Sequence, residues 1–423
     1  MPEARARRQP IEAESAKPAI PSVPRAVLPA LCATQITSWG VLYYAFPNLR
    51  SAITAETGWS ATVTTAAFSA ALLTSAAVGI PLGRVLDRNG PRAVMTGGSV
   101  LASLSLLAVA AAPTLPLFVA AWFAAGTAMA ATFYQPAFAA VTRWWGESRV
   151  KALTAVTLTG GLASTVFSPL TALLVGPLGW RGTYVVLALV LALITIPAHA
   201  LALRAPWPPL PESTDSTARK PEEHIARSRP FVLLTCAMTL SGFTIWAVLI
   251  AMVPLMIERG ASVTTAAWAL GLCGVGQAVG RACYAAVARR TTVATRTCLL
   301  IGAGGVSTAL LGLVRGPIWL LLVLAAFAGI VRGNLTLLQA TAVSDRWGIA
   351  AYGRLSALLA APVTVTSALT PFITAALAPL LGGYPRLFLL LAGVSVLSML
   401  FATATGARRP TAPSTGTSGS GGR

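Results

Sequence analysis

The chain has 423 residues, of which 55% are hydrophobic and only 10% are charged, and its formal net charge is +19. A soluble protein of this length usually carries about 25% charged residues, so the composition excludes a surface that is solvated mainly by water. The basic excess does not indicate a nucleic-acid partner, because no basic patch is interleaved with exposed aromatic residues.

Hydropathy along the chain predicts a series of membrane spans. A helix needs roughly 20 apolar residues to cross the hydrocarbon core, and each span must be helical because lipid leaves no partner for free backbone groups. The predicted spans, in chain order, are 27–50, 61–82, 94–112, 115–140, 152–174, 183–203, 231–255, 264–287, 297–313, 317–341, 355–378 and 386–404. The expected fold is therefore all-α, a polytopic membrane protein with twelve transmembrane helices.

Charge and proline content divide the chain further. We predict a cytoplasmic N-terminal tail (1–26), an N-terminal six-helix bundle (27–204), a proline-rich cytoplasmic linker (205–229), a C-terminal six-helix bundle (230–405) and a disordered cytoplasmic tail (406–423). With this topology, 24 of the 31 Lys and Arg are cytoplasmic, five are external and two lie within spans. That asymmetry follows the positive-inside rule and predicts a multi-pass inner-membrane protein with both termini cytoplasmic. The N-terminus has no signal-peptide pattern.

The two bundles repeat short sequence patterns at a nearly constant spacing of about 200 residues, which predicts two six-helix pseudo-repeats. The matching pairs are Gly79–Arg84 with Gly276–Arg281, Arg143-Trp144 with Arg346-Trp347, and Ser168-Pro169 with Thr370-Pro371.

The loop between the second and third spans carries the most specific motif, G-x-x-x-D-R-x-G-x-R over residues 83–92. Its glycines permit close helix approach and a tight turn, and its aspartate can cap a helix or pair with an arginine. The pattern resembles the signature of the major facilitator superfamily. The resemblance to that superfamily covers nearly the whole chain. The resemblance implies the major facilitator fold and a conformational-switch role, not solute binding, for five residues: Gly83, Asp87, Arg88, Gly90 and Arg92.

The second half departs from that pattern. Arg289 and Arg290 stand at the positions aligned with Asp87 and Arg88, so the second loop lacks the acid that the switch motif needs.

Within the superfamily, the chain most resembles the monocarboxylate-porter group and its bacterial relatives. The matching stretches are Ser38–Val41, Tyr43–Pro47, Tyr134–Pro136, Arg143–Trp145, Arg149–Leu153 and Gly160-Gly161. Animal members have a lysine where this chain has Asn48, and an acid where it has Gln277, although Arg281 is kept. Proton-linked monocarboxylate transport therefore cannot simply be transferred to this chain.

The charges within the spans point to an anionic solute. All twelve acids fall in termini, loops or helix ends, whereas Arg281 and Arg332 lie within spans. Without an intramembrane acid, these arginines must be satisfied by carbonyls, amides, water or a bound anion. We expect Arg281, with Arg332, to face the central cavity and attract an anionic group. The alternative is that they pack between helices or snorkel to the cytoplasm.

Polar and aromatic residues recur at helical spacing in the first and fourth spans, which line the cavity in this fold. The alternative for such a stripe is packing or a membrane-interface belt. Pro47 and Pro136 are predicted to bend these helices. The candidate substrate-binding residues are Arg281, Arg332, Gln277, Asn48, Tyr43, Trp39, Tyr134 and Gln135, with Gln35 on the same stripe.

The expected function is secondary transport of a small, anionic, carboxylate-type solute across the inner membrane by alternating access, with the protein a monomer in the bilayer. The alternative is an efflux antiporter of hydrophobic drug-like compounds, although Trp122 stands where such antiporters carry an arginine. A non-transporting sensor or an enzyme is the remote alternative. Catalytic constellations, metal-ligand clusters and phosphate-gripping loops are missing from the sequence, so no catalytic residue, metal or cofactor is expected.

Overall fold

The computed structural model describes residues 25–208, 221–349 and 351–405. The predicted disorder of the tail 406–423, most of the predicted N-terminal tail and the middle of the predicted linker fall outside these residues. The described residues form helices and no strands. The all-α fold is therefore confirmed.

Twelve helical passes follow one another in the described ranges, and they extend beyond most of the predicted spans. They are α1 (27–57), α2 (Ala61–Asn89), α3 (Pro91–Ala111), α4 (Leu115–Trp145), α5 (149–178), α6 (180–202), α7 (Arg229–Glu258), α8 (Val263–Arg290), α9 (Val293–Leu313), α10 (Ile318–Thr341), α11 (Tyr352–Leu380) and α12 (Tyr384–Ala404). Short helices at Pro221–Arg227 and Ser344–Trp347 lie between passes.

Length and apolar composition alone qualify nine helical stretches of the described chain as membrane spans. One of them, Arg149–Ala202, is 54 residues long and holds two passes. It reverses direction at Gly179, whose φ of 62° and ψ of 179° lie outside the helical region. The helices α1 and α8 fall outside the nine. A π-helical turn interrupts α1, and α8 carries Gln277 and Arg281 at mid-length.

The two halves, α1–α6 and α7–α12, meet at one end of the molecule. We call this the linker end, because α6 joins segment 203–208 there, and the opposite end the far end. One apolar cluster at the linker end draws residues from both halves, among them Leu86 and Phe138 with Tyr284 and Leu355. At the far end each half has its own core, around Trp122 in the first and around Phe388, Met252 and Leu321 in the second. The halves are therefore joined at the linker end and have separate cores at the far end.

Glycines bring α8 and α10 into the closest contact in the second half. Gly276 and Gly280 of α8 face α10, and Gly329 and Gly333 of α10 face α8. A Cβ at any of the four would collide with a backbone carbonyl of the other helix. Small residues at helix interfaces are the usual way to obtain such packing in lipid, where apolar side chains gain little by leaving the solvent.

This contact predicts a local stability effect. Gly280→Ala should lower the thermal unfolding temperature, because its methyl group would meet the Ile330 carbonyl, and overpacking costs about 1–3 kcal/mol. Gly274→Ala, on the same helix with open space around it, is the control and should be neutral or stabilising. Thermal unfolding of the purified protein, followed by tryptophan fluorescence, measures both. Equal unfolding temperatures for the two variants would contradict this packing.

Candidate functional site

Two helices of the first half are irregular at the same depth. In α1, a π-helical turn spans Trp39–Tyr44, and it ends just before Pro47, which has no N–H to give the Tyr43 carbonyl. In α4, Phe133 is extended (φ −77°, ψ −163°). Irregular backbone at membrane depth is tolerated only where protein or a cavity satisfies the freed groups.

Gln35 satisfies the break in α4. Pro136 cannot donate a hydrogen bond to the Thr132 carbonyl, four residues earlier. The Gln35 Nε2 donates to that carbonyl instead, at 2.7 Å, and to the Phe133 carbonyl at 3.4 Å. Gln35 is fully buried. It therefore holds α1 to the broken segment of α4.

The two irregular segments present a cluster of aromatic rings to the interface between the halves. The Trp39 ring stacks on Phe133 with 4.2 Å between centroids and 13° between planes. Its centroid lies 5.0 Å from that of Tyr134 and 5.5 Å from that of Tyr43. Tyr43 in turn lies 6.4 Å from Trp246 of α7. The cluster thus reaches from one half to the other.

Arg281 of α8 crosses between the halves beside these rings. Its Nη1 donates to the Thr157 carbonyl of α5 at 3.0 Å, and its buried Nε has no hydrogen-bond partner. A Cβ at Gly161 would collide with the guanidinium. The phenol groups of Tyr44 and Tyr134 lie close enough to interact with its charge. Among the described residues, Arg281 has no carboxylate in an ion pair.

The other predicted site residues lie on the helices that carry Arg281 and the aromatic cluster, and they differ in how deeply they are buried. Gln277 is half-buried one turn before Arg281, and its side chain lies beside the Cys273 thiol. Asn48 is exposed, and its Nδ2 donates to the Tyr44 carbonyl at 2.7 Å. Gln135 is half-buried.

Arg332 lies elsewhere. Its side chain is 2% exposed, its Nη2 donates to the Thr308 hydroxyl of α9 at 3.1 Å, and it contacts the Cys273 thiol. Cys273 precedes Arg281 by eight residues, or about 12 Å along α8. The structure thus places Arg332 inside the second bundle, away from the interface between the halves.

The switch motif closes the linker end. The Asp87 carboxylate accepts hydrogen bonds from the backbone N–H groups of Gly353 and Arg354, both at 2.9 Å. These are first-turn amides of α11, which have no partner within their own helix. Gly83 makes the contact possible, because a Cβ there would lie 2.5 Å from the Gly353 carbonyl oxygen. Asp87 is therefore an N-cap supplied across the two halves.

Two other motif residues, Gly90 and Arg92, support the turn. Gly90 has a φ of 79°, which favours glycine, and the Trp207 ring packs against it. The Arg92 Nε donates to the Ala200 carbonyl at 3.0 Å, and Arg88 is exposed.

Sequence reasoning missed Trp207, which lies in the proline-rich segment after α6. Its indole N–H donates to the Asp87 carbonyl at 3.0 Å, and the Arg143 guanidinium lies 4.7 Å from its ring centroid. Arg143 donates to the same Asp87 carbonyl at 3.2 Å. The segment after α6 therefore takes part in the contact that closes the linker end, which we call the latch: the Asp87 cap on α11 with Arg143 and Trp207. The only sign of this role in the sequence was the presence of a tryptophan in an otherwise polar linker.

Sequence comparison identifies the family. The sequence profile described as Major Facilitator Superfamily matches residues 31–314 and 234–422. The chain belongs to the major facilitator superfamily. It is therefore a multi-pass membrane protein of a transporter superfamily, and not an enzyme.

Its similar relatives among characterised sequences are monocarboxylate transporters, so the predicted resemblance to the monocarboxylate-porter group is confirmed. Monocarboxylate transporter 13 of Rattus norvegicus is 28% identical over 309 residues, covering 71% of this chain and 68% of that protein. The Bos taurus protein of the same name is 29% identical over 252 residues, covering 58% and 55%. Human monocarboxylate transporter 11 is 30% identical over 224 residues, covering 51% and 46%. The matches span about half to two thirds of these relatives.

Solved structures show the same fold at low identity. A single-residue variant of the Escherichia coli fucose:proton symporter FucP superposes with a TM-score of 0.70 at 14% identity, covering 90% of this chain and 98% of FucP. The human organic anion transporter MFSD10 superposes with a TM-score of 0.62 at 16% identity, covering 89% and 99%.

In this superfamily member, a second contact joins the halves at the linker end. Asp345, between α10 and α11, pairs with Arg149 at the start of α5 at 2.6 Å and with Arg296 of α9. Burial lowers the pKa of the neighbouring Arg346 guanidinium, while the Asp345 carboxylate raises it. Asp345 thus places an acid beside the second loop, where it bridges α5 and α9.

The latch predicts a shift in conformational equilibrium. Asp87→Ala removes the cap of α11 and should lower the population closed at the linker end, since loss of a cap costs about 0.5–2 kcal/mol, or roughly 2- to 30-fold. Spin labels at Lys151 and Arg289, both exposed at the linker end, should report longer distances by pulsed electron spin resonance.

Arg88→Ala is the control, because Arg88 is an exposed member of the same motif. Its distance distribution should match that of the unsubstituted chain. Unchanged distances in Asp87→Ala would mean that the cap does not hold the halves together.

Proposed function

We propose that the chain is a secondary transporter that moves a small, anionic, carboxylate-type solute by alternating access. The observation that carries the proposal is Arg281, a cation between the halves whose Nε has no hydrogen-bond partner among the described residues. Its hydrogen bond to the Thr157 carbonyl uses a single N–H of a five-donor fork.

The surroundings of Arg281 favour an anion with an apolar portion. A planar guanidinium matches a carboxylate in two parallel hydrogen bonds. The hydroxyls of Tyr44 and Tyr134 supply further polar contacts, and the rings of Trp39, Tyr43 and Trp246 supply apolar ones. With Gln277 and Gln135 at its edge, this group is the proposed solute site, and Asn48 lies one turn further toward the far end.

The contacts at the linker end supply the proposed alternation. The solute would reach Arg281 from the far end, where the halves have separate cores. Opening of the linker end would break the Asp87 cap, the Asp345 ion pairs and the Arg281–Thr157 bond, since each joins the two halves. A bound carboxylate would compete with the Thr157 carbonyl for Arg281 and so weaken one of these contacts.

We propose that the protein is a monomer in the cytoplasmic (inner) membrane, with the linker end and both termini in the cytoplasm. The basic residues support this orientation. Arg84, Arg88, Arg289 and Arg290 lie at the linker end, where the positive-inside rule places such residues.

The solute site is tested by charge removal. Arg281→Gln should reduce uptake of small carboxylates into proteoliposomes about 10- to 100-fold, since hydrogen bonds to a charged group contribute about 1.5–3 kcal/mol. Radiolabelled monocarboxylates from acetate to hexanoate serve as the panel. Arg281→Lys should retain part of the uptake, because it keeps the charge but loses the fork.

Arg289→Gln is the matched control on the same helix, exposed at the linker end, and should transport normally. Unreduced carboxylate uptake by Arg281→Gln would refute the solute site. Transport of ethidium without any carboxylate uptake would favour the efflux alternative.

Orientation is tested by labelling of single cysteines in a background without the five native ones. Arg315→Cys, exposed at the far end, should react with a membrane-impermeant maleimide in intact cells. Ser213→Cys, in the linker, should react only after the cells are permeabilised. The reverse pattern would place the linker outside the cell.

A further inference from the structure

The second bundle contains a small cavity, lined in part by polar residues, apart from the proposed solute site. Its volume is about 10 Å³, which is space for one particle near the size of a water molecule. It lies between α7, α9, α10 and α12, and its polar lining consists of Arg332, Ser241, Thr244, Thr308 and Ser395. All five residues are buried.

Arg332 is the reason to expect an occupant. Its Nη1 is buried without a hydrogen-bond partner in the described parts of the chain, and its Nη2 donates to the Thr308 hydroxyl at 3.1 Å. Among the described residues, no carboxylate pairs with it, and the sequence places all twelve acids in termini, loops or helix ends. A buried guanidinium without a counter-charge is unfavourable in a membrane interior, where such groups usually find a partner.

The lining has the chemistry of an anion site. An arginine N–H can only donate, and a hydroxyl hydrogen can rotate from a helix carbonyl toward a new acceptor. Thr244, Thr308 and Ser395 now donate to carbonyls of their own helices, and these bonds are the ones that would rotate. With four hydroxyls, one guanidinium and no acid, the cavity offers donors and a positive charge.

We propose that this cavity binds a single halide ion, chloride under cellular conditions, as the counter-charge of Arg332. A cavity this small favours a monatomic anion over carboxylates and phosphate. The ion would neutralise Arg332 within the bundle and tie α7, α9, α10 and α12 together through one acceptor. This site does not depend on the proposed solute site, because Arg281 lies elsewhere on α8.

The test is the thermal unfolding of the purified full-length protein in detergent. Chloride or bromide is titrated against gluconate at constant ionic strength. The unfolding temperature should rise with halide and saturate, and it should remain at the gluconate value in Arg332→Gln. Arg281→Gln should keep the full halide response, which separates this site from carboxylate transport.

If Arg332→Gln does not fold, Thr308→Val and Ser241→Ala address the same cavity with smaller changes. Each should raise the half-saturating chloride concentration several-fold. Cys273→Ser should keep the halide response, because the thiol is not part of the cavity lining. Equal unfolding temperatures of the unsubstituted protein in chloride and gluconate would overturn the proposal and leave a water molecule as the occupant. A response that is retained in Arg332→Gln would place the ion elsewhere and overturn it as well.

Discussion

The structure depends on one hydrogen-bonded cap, the Asp87 carboxylate on the first turn of α11. The amides of Gly353 and Arg354 have no acceptor in their own helix, and Asp87 provides both bonds from the other half. The carboxylate is 7% exposed, so water competes poorly with these amides, and the helix dipole adds to the attraction. The shared apolar core at the linker end and the Arg281–Thr157 bond span the same two halves, so they belong to the same closed arrangement as the cap.

The proposed solute site is built from interruptions in regular helices. A π-helical turn in α1 and an extended residue in α4 lie side by side, and Gln35 bonds to the carbonyl that Pro136 leaves without a donor. Such breaks are costly in lipid, so their position at the interface between the halves indicates a region shaped for more than packing. On the other side, α8 is held rigidly by glycine contacts with α10. Arg281 therefore extends from a firm helix toward a surface whose backbone is irregular.

Much of the architecture was predictable from the sequence. Hydropathy located twelve passes because lipid imposes a minimum length on each, and the loop motif located Gly83 and Asp87 because few residues can serve a tight helix contact and a cap. The rotation of each helix about its axis, which decides which neighbours its side chains face, was not predictable. Arg332 lies near the middle of α10, but the direction it faces depends on how α10 packs, and it faces Thr308 on the neighbouring helix α9. Tyr44 and Thr157 were missed as neighbours of Arg281, since their proximity arises only when the halves meet.

The Asp87 cap and the Asp345 cluster, which both join the halves at the linker end, differ in physical kind, and this difference bears on the proposed alternation. The Asp87 cap uses neutral backbone donors in a buried position, so ionic strength should affect it little. The Asp345 cluster is an ion pair with Arg149 and Arg296, with side-chain exposures of 11%, 19% and 5%, and one acid there serves two arginines. Arg149 is the most exposed of the three, so its pair with Asp345 is the part of this cluster that salt screens most. The second half therefore closes the linker end through charged side chains, and the first half closes it through neutral backbone donors, so only the Asp345 cluster should respond to ionic strength.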